Sequence, residues 1–188
     1  MLYTRKGDKG TTKVLDSKER FSKGSLLAEA LGSLDELNSY LGLCKVKVVG
    51  TQEGGPLLKK QRSRMPDVLL EIQQNLFLIQ AELAGAKKKI TRAKVTRLET
   101  LTDAAERELP PITTFTISGG TEVSTLLDVS RTLARRAERR VVSVHDAGER
   151  KMGAWTRAYL NRLSSLLFAL ARLSNYKSGI TEESPDYK

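Results

Sequence analysis

From Ser25 onward the chain carries apolar residues at helical spacing. Leu27, Leu31, Leu34, Leu37 and Leu41 recur every three or four positions, so one face of a helix is apolar from Ser25 until the pattern fades near Lys45. Residues 46–65 lose that periodicity and form a connector rich in Gly, Lys and Arg. Pro66-Asp67 opens a second helix, because proline is tolerated in the first turn and a carboxylate suits the positive end of the helix dipole. Leu69, Ile72, Leu76, Ile79 and Leu83 carry it to about Ala86. A third helix is predicted over Ala93–Glu108 through Val95, Leu98, Leu101 and Ala105, and Pro110-Pro111 stops it. Phe115–Ile117 reads as extended, and Gly119-Gly120 turns the chain into a fourth helix. Asp146-Ala147-Gly148 punctuates that helix before a fifth, over Ala154–Asn175. The fifth has an apolar face of Tyr159, Leu160, Leu163, Leu166, Leu167, Leu170 and Leu173. Arg157, Asn161, Ser165, Phe168 and Arg172 lie opposite. No strand pairs or repeats are evident. Five amphipathic helices with mostly short links predict an all-α, up-and-down bundle.

At 188 residues the chain is long enough for one domain with a sizeable core. The expected organisation is a single domain: an irregular N-terminal loop over 1–24, the bundle over 25–175 and a tail over 176–188. One cysteine, Cys44, excludes an internal disulfide or a cysteine-based zinc site, and one histidine, His145, excludes a histidine-rich metal centre. Both are expected to be structural, Cys44 in the core and His145 at a helix end. There is no apolar run long enough to cross a membrane and no signal peptide, so a cytoplasmic location is expected. The net charge of +10 calls for anionic company, such as nucleotide phosphates, nucleic acid or acidic lipid.

Charge concentrates in two places. Arg131, Arg135, Arg136, Arg139 and Arg140 crowd the fourth helix. Asp128, Arg131, Arg135 and Glu138 share one stripe, Val123, Leu127, Ala134, Ala137 and Val141 a second, and Arg136 and Arg140 point away. Arginines one turn apart, beside an apolar seam and oriented by a carboxylate, suit a polyphosphate; a solvated basic helix with i,i+4 pairs is the alternative. The N-terminal stretch Tyr3-Thr4-Arg5-Lys6-Gly7-Asp8-Lys9-Gly10-Thr11-Thr12 combines glycines, hydroxyls and cations. Glycines let backbone N–H groups approach phosphate oxygens, threonines donate, and lysines supply charge. It lacks the Walker A spacing, and a disordered basic terminus would share its composition. Arg20 and Lys23 would extend the same cationic surface.

In order along the chain, YTRKGDKGTT (3–12), RFSK (20–23), EALGSLDELNS (29–39), FTISGGT (115–121), RTLARRAERRV (131–141) and LNRLSSLLFALAR (160–172) resemble the PduO-type ATP:corrinoid adenosyltransferases. Each piece is weak alone, while the ordered set spans nearly the whole chain and is specific. The resemblance implies a ferritin-like five-helix bundle assembled as a homotrimer with sites between subunits. It implies that cobalt(I) of a reduced corrinoid such as cobalamin attacks the 5′ carbon of ATP, with Mg2+ bound mainly through ATP, giving adenosylcobalamin and triphosphate. No Ser-His-Asp or Cys-His set is apparent here, and cobalt(I) would need none. By resemblance Thr4, Gly7, Asp8, Lys9, Gly10, Thr11 and Thr12 match the ATP-wrapping loop, and Lys23 a second phosphate-binding cation. Arg135, Glu138 and Asn161 match residues of the nucleotide site. Arg131 matches the arginine that pairs across the subunit boundary with the aspartate matched by Asp35, both near the corrinoid. Phe115 matches the aromatic under the corrinoid's lower face, where an apolar ring in place of an axial base eases reduction of cobalt(II). A reductase and an acceptor mutase are possible partners, with no nucleic acid and no membrane.

Two departures stand out. The family's P-G-G is Ser118-Gly119-Gly120 here, and its N-R-L-S-D is Asn161-Arg162-Leu163-Ser164-Ser165. Serine can still cap a helix, but the first loosens the turn that carries Phe115, and the second removes a carboxylate near the interface. A basic helical nucleic-acid-binding protein would also explain the charge, though no recognised motif for one is present. A non-catalytic relative that binds ATP or adenosylcobalamin is the other alternative.

Overall fold

The computed structural model describes residues 2–14, 19–49, 57–58 and 63–187. Five helices carry the architecture: α1 (Leu26–Val49), α2 (Met65–Leu83), α3 (Arg92–Glu106), α4 (Glu122–Asp146) and α5 (Ala154–Lys177). Helix α1 packs against α2 and α4, and α5 packs against α3 and α4. Lys47 at the end of α1 meets Glu122 at the start of α4 (2.6 Å), and Glu29 at the start of α1 meets Arg140 near the end of α4 (3.4 Å), so these two helices run antiparallel. The apolar stripes named above face one continuous core, in which Leu34, Leu37, Leu41, Leu69, Leu76 and Leu163 are fully enclosed. Helix formation and packing coincide, because the three-and-four spacing puts each stripe on the side where burial stabilises it.

Helix boundaries differ from the expectation by a turn or less. Helix α1 continues past Lys45 because Val48 is buried, and α2 ends at Leu83, whose side chain is the last of its stripe in the core. Two short antiparallel ladders depart from the expectation of no strands. Thr11–Thr12 (β1) pairs with Phe21–Ser22 (β2), and Leu57–Leu58 (β3) pairs with Ser63–Arg64 (β4). Two-residue strands are too short to leave a period in the sequence. Residues 50–56 and 59–62 of the basic connector lie outside the described residues.

Helix α4 begins at a Thr121 N-cap, whose hydroxyl accepts from the Ser124 amide at 3.0 Å. The cap is therefore Thr121 and not Ser118, because the Gly119-Gly120 turn sets the first helical residue three places later than serine would need. The polar side of α5 also differs from its sequence reading. Arg157, Asn161 and Ser165 are exposed, Phe168 is half-buried, and Arg172 is buried. The tail after Lys177 folds back over Arg172, and Glu182 meets its guanidinium at 2.8 Å. A tail with no periodicity gives no sequence signal for that cover.

Cys44 lies in the core with its Sγ 3.3 Å from Ser130 Oγ, and His145 Nδ1 accepts from the Met152 amide at 3.1 Å near the end of α4. Burial pushes the Cys44 thiol and the Tyr159 phenol above their ordinary values of 9.0 and 10.0. Because the folded groups hold their protons more tightly than unfolded ones, their stability contribution is complete below those ordinary values and declines as pH rises above them. The urea midpoint is expected to fall steadily above about pH 9 and to fall less in a Tyr159→Phe variant. A flat profile to pH 11 would contradict that assignment.

Candidate functional site

The N-terminal loop is an organised turn. Arg5 takes a positive φ of 57°, Gly10 one of 73°, and the Gly10 amide donates to Gly7 O at 3.1 Å. The Thr4 hydroxyl accepts from the Lys6 amide at 3.4 Å. Arg20 fastens the turn from below: its Nη2 donates to the carbonyls of Lys6 (2.6 Å) and Thr11 (2.7 Å), and its Nε to Thr11 Oγ1 (2.9 Å). Arg20 is thus a brace for the loop, not a free extension of its charge. The β1–β2 ladder and the Lys23 amide bond to Gly10 O, at 2.9 Å, return the chain beside the turn. A Cβ on Gly7 would lie 3.1 Å from Lys23 Nζ. Glycine there lets the ammonium sit against the loop backbone, and so Gly7 and Lys23, far apart in the chain, share one surface. Asp8 and Lys9 lie on the exposed crest of that turn, with Thr12 in β1.

The second part of the site lies on α4 and α5. Arg131 Nε is 3.2 Å from Asp128 Oδ1, and its guanidinium sits over the Phe168 ring at 5.8 Å from the centroid. Carboxylate and ring together hold an arginine that solvent would otherwise leave in many rotamers. Arg131 and Arg135 form one wall of a cavity of about 380 Å³, with Ser164, Ser165 and Phe168 behind them. Ile112, Thr114, Phe115 and Thr116 complete the lining, and Phe115 there is 79% exposed. One turn beyond Arg135, Glu138 Oε1 accepts from Asn161 Nδ2 at 3.1 Å, and Asn161 Oδ1 accepts from Arg162 Nη1 at 2.7 Å. Arg162 is itself held by Glu99 of α3 at 3.2 Å. The result is a strip along one face, about 10 Å long by helical rise from Arg131 to Glu138. Its aromatic end is Phe115 and Phe168, its centre is cationic, and its far end is polar.

The arginine cluster divides cleanly. Arg136 pairs with Glu36 and Arg140 with Glu29, so these two join α4 to α1 on the opposite face. Exposed pairs of this kind contribute about 0–1 kcal/mol each. Arg135 faces solvent in the cavity wall and has no hydrogen-bond or ion-pair partner among the described residues.

Some expected neighbours are not brought together within one chain. Asp35 is exposed on α1, and Arg131 pairs with Asp128 instead. No described contact joins the N-terminal turn to Arg131 or Arg135. That turn leaves the bundle at the start of α1, beside Arg140, nine residues along α4 from Arg131. Three groups escaped the sequence reading: Asn175, which holds the Gly119-Gly120 turn; Glu182, which meets Arg172; and Arg162 as the holder of Asn161. Arg162 adjoins Asn161 in a quoted motif, and that was the only available signal. Among the described residues no group of three or more His, Cys, Asp or Glu side chains forms a metal cage, and no helix is long and apolar enough to cross a membrane.

Residues 2–174 match the family profile described as cobalamin adenosyltransferase. The chain is 40% identical over 183 residues to a corrinoid adenosyltransferase of Bacillus subtilis, covering 95% of this chain and 89% of the relative. It is 36% identical to the corrinoid adenosyltransferase PduO of Citrobacter freundii, with 93% of this chain covering half of that longer protein. Among solved structures it is similar to a variant PduO-type ATP:corrinoid adenosyltransferase from Lactobacillus reuteri complexed with cobalamin and ATP. There the TM-score is 0.86 at 29% identity, covering 100% of this chain and 97% of the other. With the profile spanning nearly all of its length and close relatives covering the same span, the chain belongs to the cobalamin adenosyltransferase family.

Proposed function

We propose that this chain, acting as one adenosyltransferase unit, transfers the 5′-deoxyadenosyl group of ATP to cobalt(I) of a reduced corrinoid such as cobalamin. The cobalt electron pair forms the Co–C5′ bond, the C5′–O5′ bond breaks, and its pair leaves on triphosphate. The observation that carries the reading is the strip in which Phe115 and Phe168 adjoin Arg131 and Arg135, with Glu138 and Asn161 beyond. A flat, largely apolar macrocycle suits the aromatic end, and an anionic leaving group the cationic centre. The protein supplies no nucleophile; it positions the reactants and stabilises charge that grows on triphosphate in the transition state.

In this reading Arg135 and Lys23 hold phosphate oxygens, and Glu138 and Asn161 orient the nucleoside. Thr4, Gly7, Asp8, Lys9, Gly10, Thr11 and Thr12 wrap the nucleotide, whose Mg2+ enters with it as part of the substrate. Phe115 covers the corrinoid's lower face and excludes an axial base from the cobalt. The exposure of Asp35 and of the crest of the N-terminal turn supports a site completed by a second copy, in a homotrimer. One copy gives the turn and Asp35, and its neighbour gives α4 and α5. Asp35 then pairs with Arg131 of the neighbouring copy.

Anaerobic incubation of the protein with chemically reduced cobalamin and MgATP tests the reaction. Appearance of the light-sensitive alkylcobalamin spectrum with release of triphosphate is expected; hydrolysis of ATP without cobalt alkylation would reject the assignment. Asp35→Asn tests the division between copies. Removing one member of a desolvated charge pair costs about 3–5 kcal/mol at an interface. The variant is expected to lose corrinoid affinity or trimer order in sedimentation while ATP affinity changes little. Equal losses for both ligands would refute that role.

A further inference from the structure

The wall of the cavity that bears Phe115 has no regular structure, and most of it faces solvent. Residues 110–115 are all exposed, so burial of their own side chains does not hold them. What holds this segment is the end of α5 and the tail beyond it. The Ile117 amide donates to Glu183 O at 2.8 Å. Thr114 Oγ1 and Ser184 Oγ share a hydrogen bond at 2.8 Å. Arg172 Nη2 donates to Pro110 O at 3.3 Å while its Nε donates to Glu182 Oε2 at 2.8 Å. Arg172 is 7% exposed and is the only described arginine whose burial matches that of the core. One buried guanidinium therefore grips both the start of the aromatic-bearing segment and the tail that straps it.

We propose that Arg172 and Glu182 form a latch that positions Phe115, making both positioning residues for the corrinoid step. The inference rests on the reading of this cavity as the corrinoid site. It adds a determinant outside the cavity: neither Arg172 nor Glu182 lines the Phe115 pocket, and both act through the backbone of 110–117. With the latch closed, Phe115 is presented from a fixed backbone. With it open, the segment samples many conformations, and the aromatic is placed correctly only part of the time. A displacement of about 1 Å at a reacting centre can cost as much as a hundredfold in rate. The nucleotide end of the strip, Glu138–Asn161, is held by Arg162 and Glu99 and is independent of the tail. The latch should therefore act on one substrate and spare the other.

The test uses full-length protein carrying Glu182→Ala, with the double variant Arg172→Met/Glu182→Leu as the control for folding. An apolar pair of similar volume commonly replaces a buried ion pair at little cost, so the double variant keeps the tail packed without charge while losing the bond to Pro110 O. Two readouts are taken: hydrogen exchange across 110–118, and KM and kcat for corrinoid and for ATP. Glu182→Ala is expected to speed exchange at the Ile117 amide at least about tenfold with the helices unchanged. It is also expected to raise the corrinoid KM or lower kcat about tenfold with the ATP KM within about twofold. The double variant is expected to fold normally and to recover both only in part, because the Pro110 contact is still missing. Unchanged exchange overturns the latch. Faster exchange with unaltered corrinoid kinetics, or equal losses for both substrates, overturns its positioning role. A wild-type protein inactive in the same assay sinks the reaction itself; an active wild type with an indistinguishable variant sinks only the latch.

Discussion

Arg135→Ala is expected to lower kcat for cobalt alkylation by about a hundredfold or more while leaving the thermal midpoint nearly unchanged. The two halves of that expectation come from different observations. Arg135 is exposed in the cavity wall with no partner among the described residues, so the fold gives up little when its side chain is removed. Its cost must then appear where charge develops, on the departing triphosphate. An interaction made mainly in the transition state lowers kcat and kcat/KM together, which steady-state kinetics at saturating corrinoid would show. Arg136→Ala and Arg140→Ala supply the comparison. They lie on the same helix within five residues of Arg135, yet they pair with Glu36 and Glu29 on the far face. Each should cost at most about 1 kcal/mol of stability and leave catalysis near wild type. If Arg136→Ala impairs the reaction as severely as Arg135→Ala, total helix charge matters more than position, and the assigned role fails.

Gly120→Ala should produce the largest loss of stability. Gly120 has a φ of 108°, and a Cβ built there would lie 2.2 Å from Asn175 Oδ1. Asn175 is 4% exposed. Its Oδ1 accepts from the Thr121 amide at 3.0 Å, and its Nδ2 donates to Gly119 O at 2.8 Å. An alanine forces that amide aside, so buried hydrogen bonds are lost on top of an unfavourable backbone. The sum is about 3 kcal/mol or more. For a chain of this length the midpoint should fall on the order of 10 °C. Gly148→Ala is the matched comparison, since its φ of 74° is also left-handed but nothing lies within 4 Å of the new methyl. It should cost only the backbone term, about 1 kcal/mol. Equal destabilisation in the two variants would mean that Asn175 yields freely and is no lock. Because Gly119-Gly120 also ends the Phe115 segment, Gly120→Ala should weaken corrinoid binding in whatever fraction remains folded.

The helices were legible because burial and periodicity are the same fact seen at two levels. Leu27, Leu34, Leu37 and Leu41 read as a stripe and are enclosed as one, and the Val123–Val141 stripe of α4 behaves alike. The split between Arg131 and Arg135 on one side and Arg136 and Arg140 on the other was legible for the same reason, since helical geometry fixes direction from spacing alone. The proximity of Gly7 to Lys23 was less accessible, because it depends on a two-residue ladder and the Arg20 clasp, neither of which has a period. Arg172 read only as a residue opposite the apolar face of α5, and its burial was not legible because its cover comes from a tail whose composition carries no pattern.

The sequence by itself therefore determined which faces are buried, which charges point away from the core, and the family to which the motifs belong. These follow from local spacing, and spacing needs no knowledge of the rest of the chain. The tertiary structure alone decided that Phe115, Phe168 and two arginines share one cavity, that Glu138 meets Asn161, that Asn175 holds the Gly119-Gly120 turn, and that Glu182 meets Arg172. Those contacts join residues separated by up to dozens of positions. Closing such loops costs entropy that only the assembled core offsets, and no local pattern records which ends will meet.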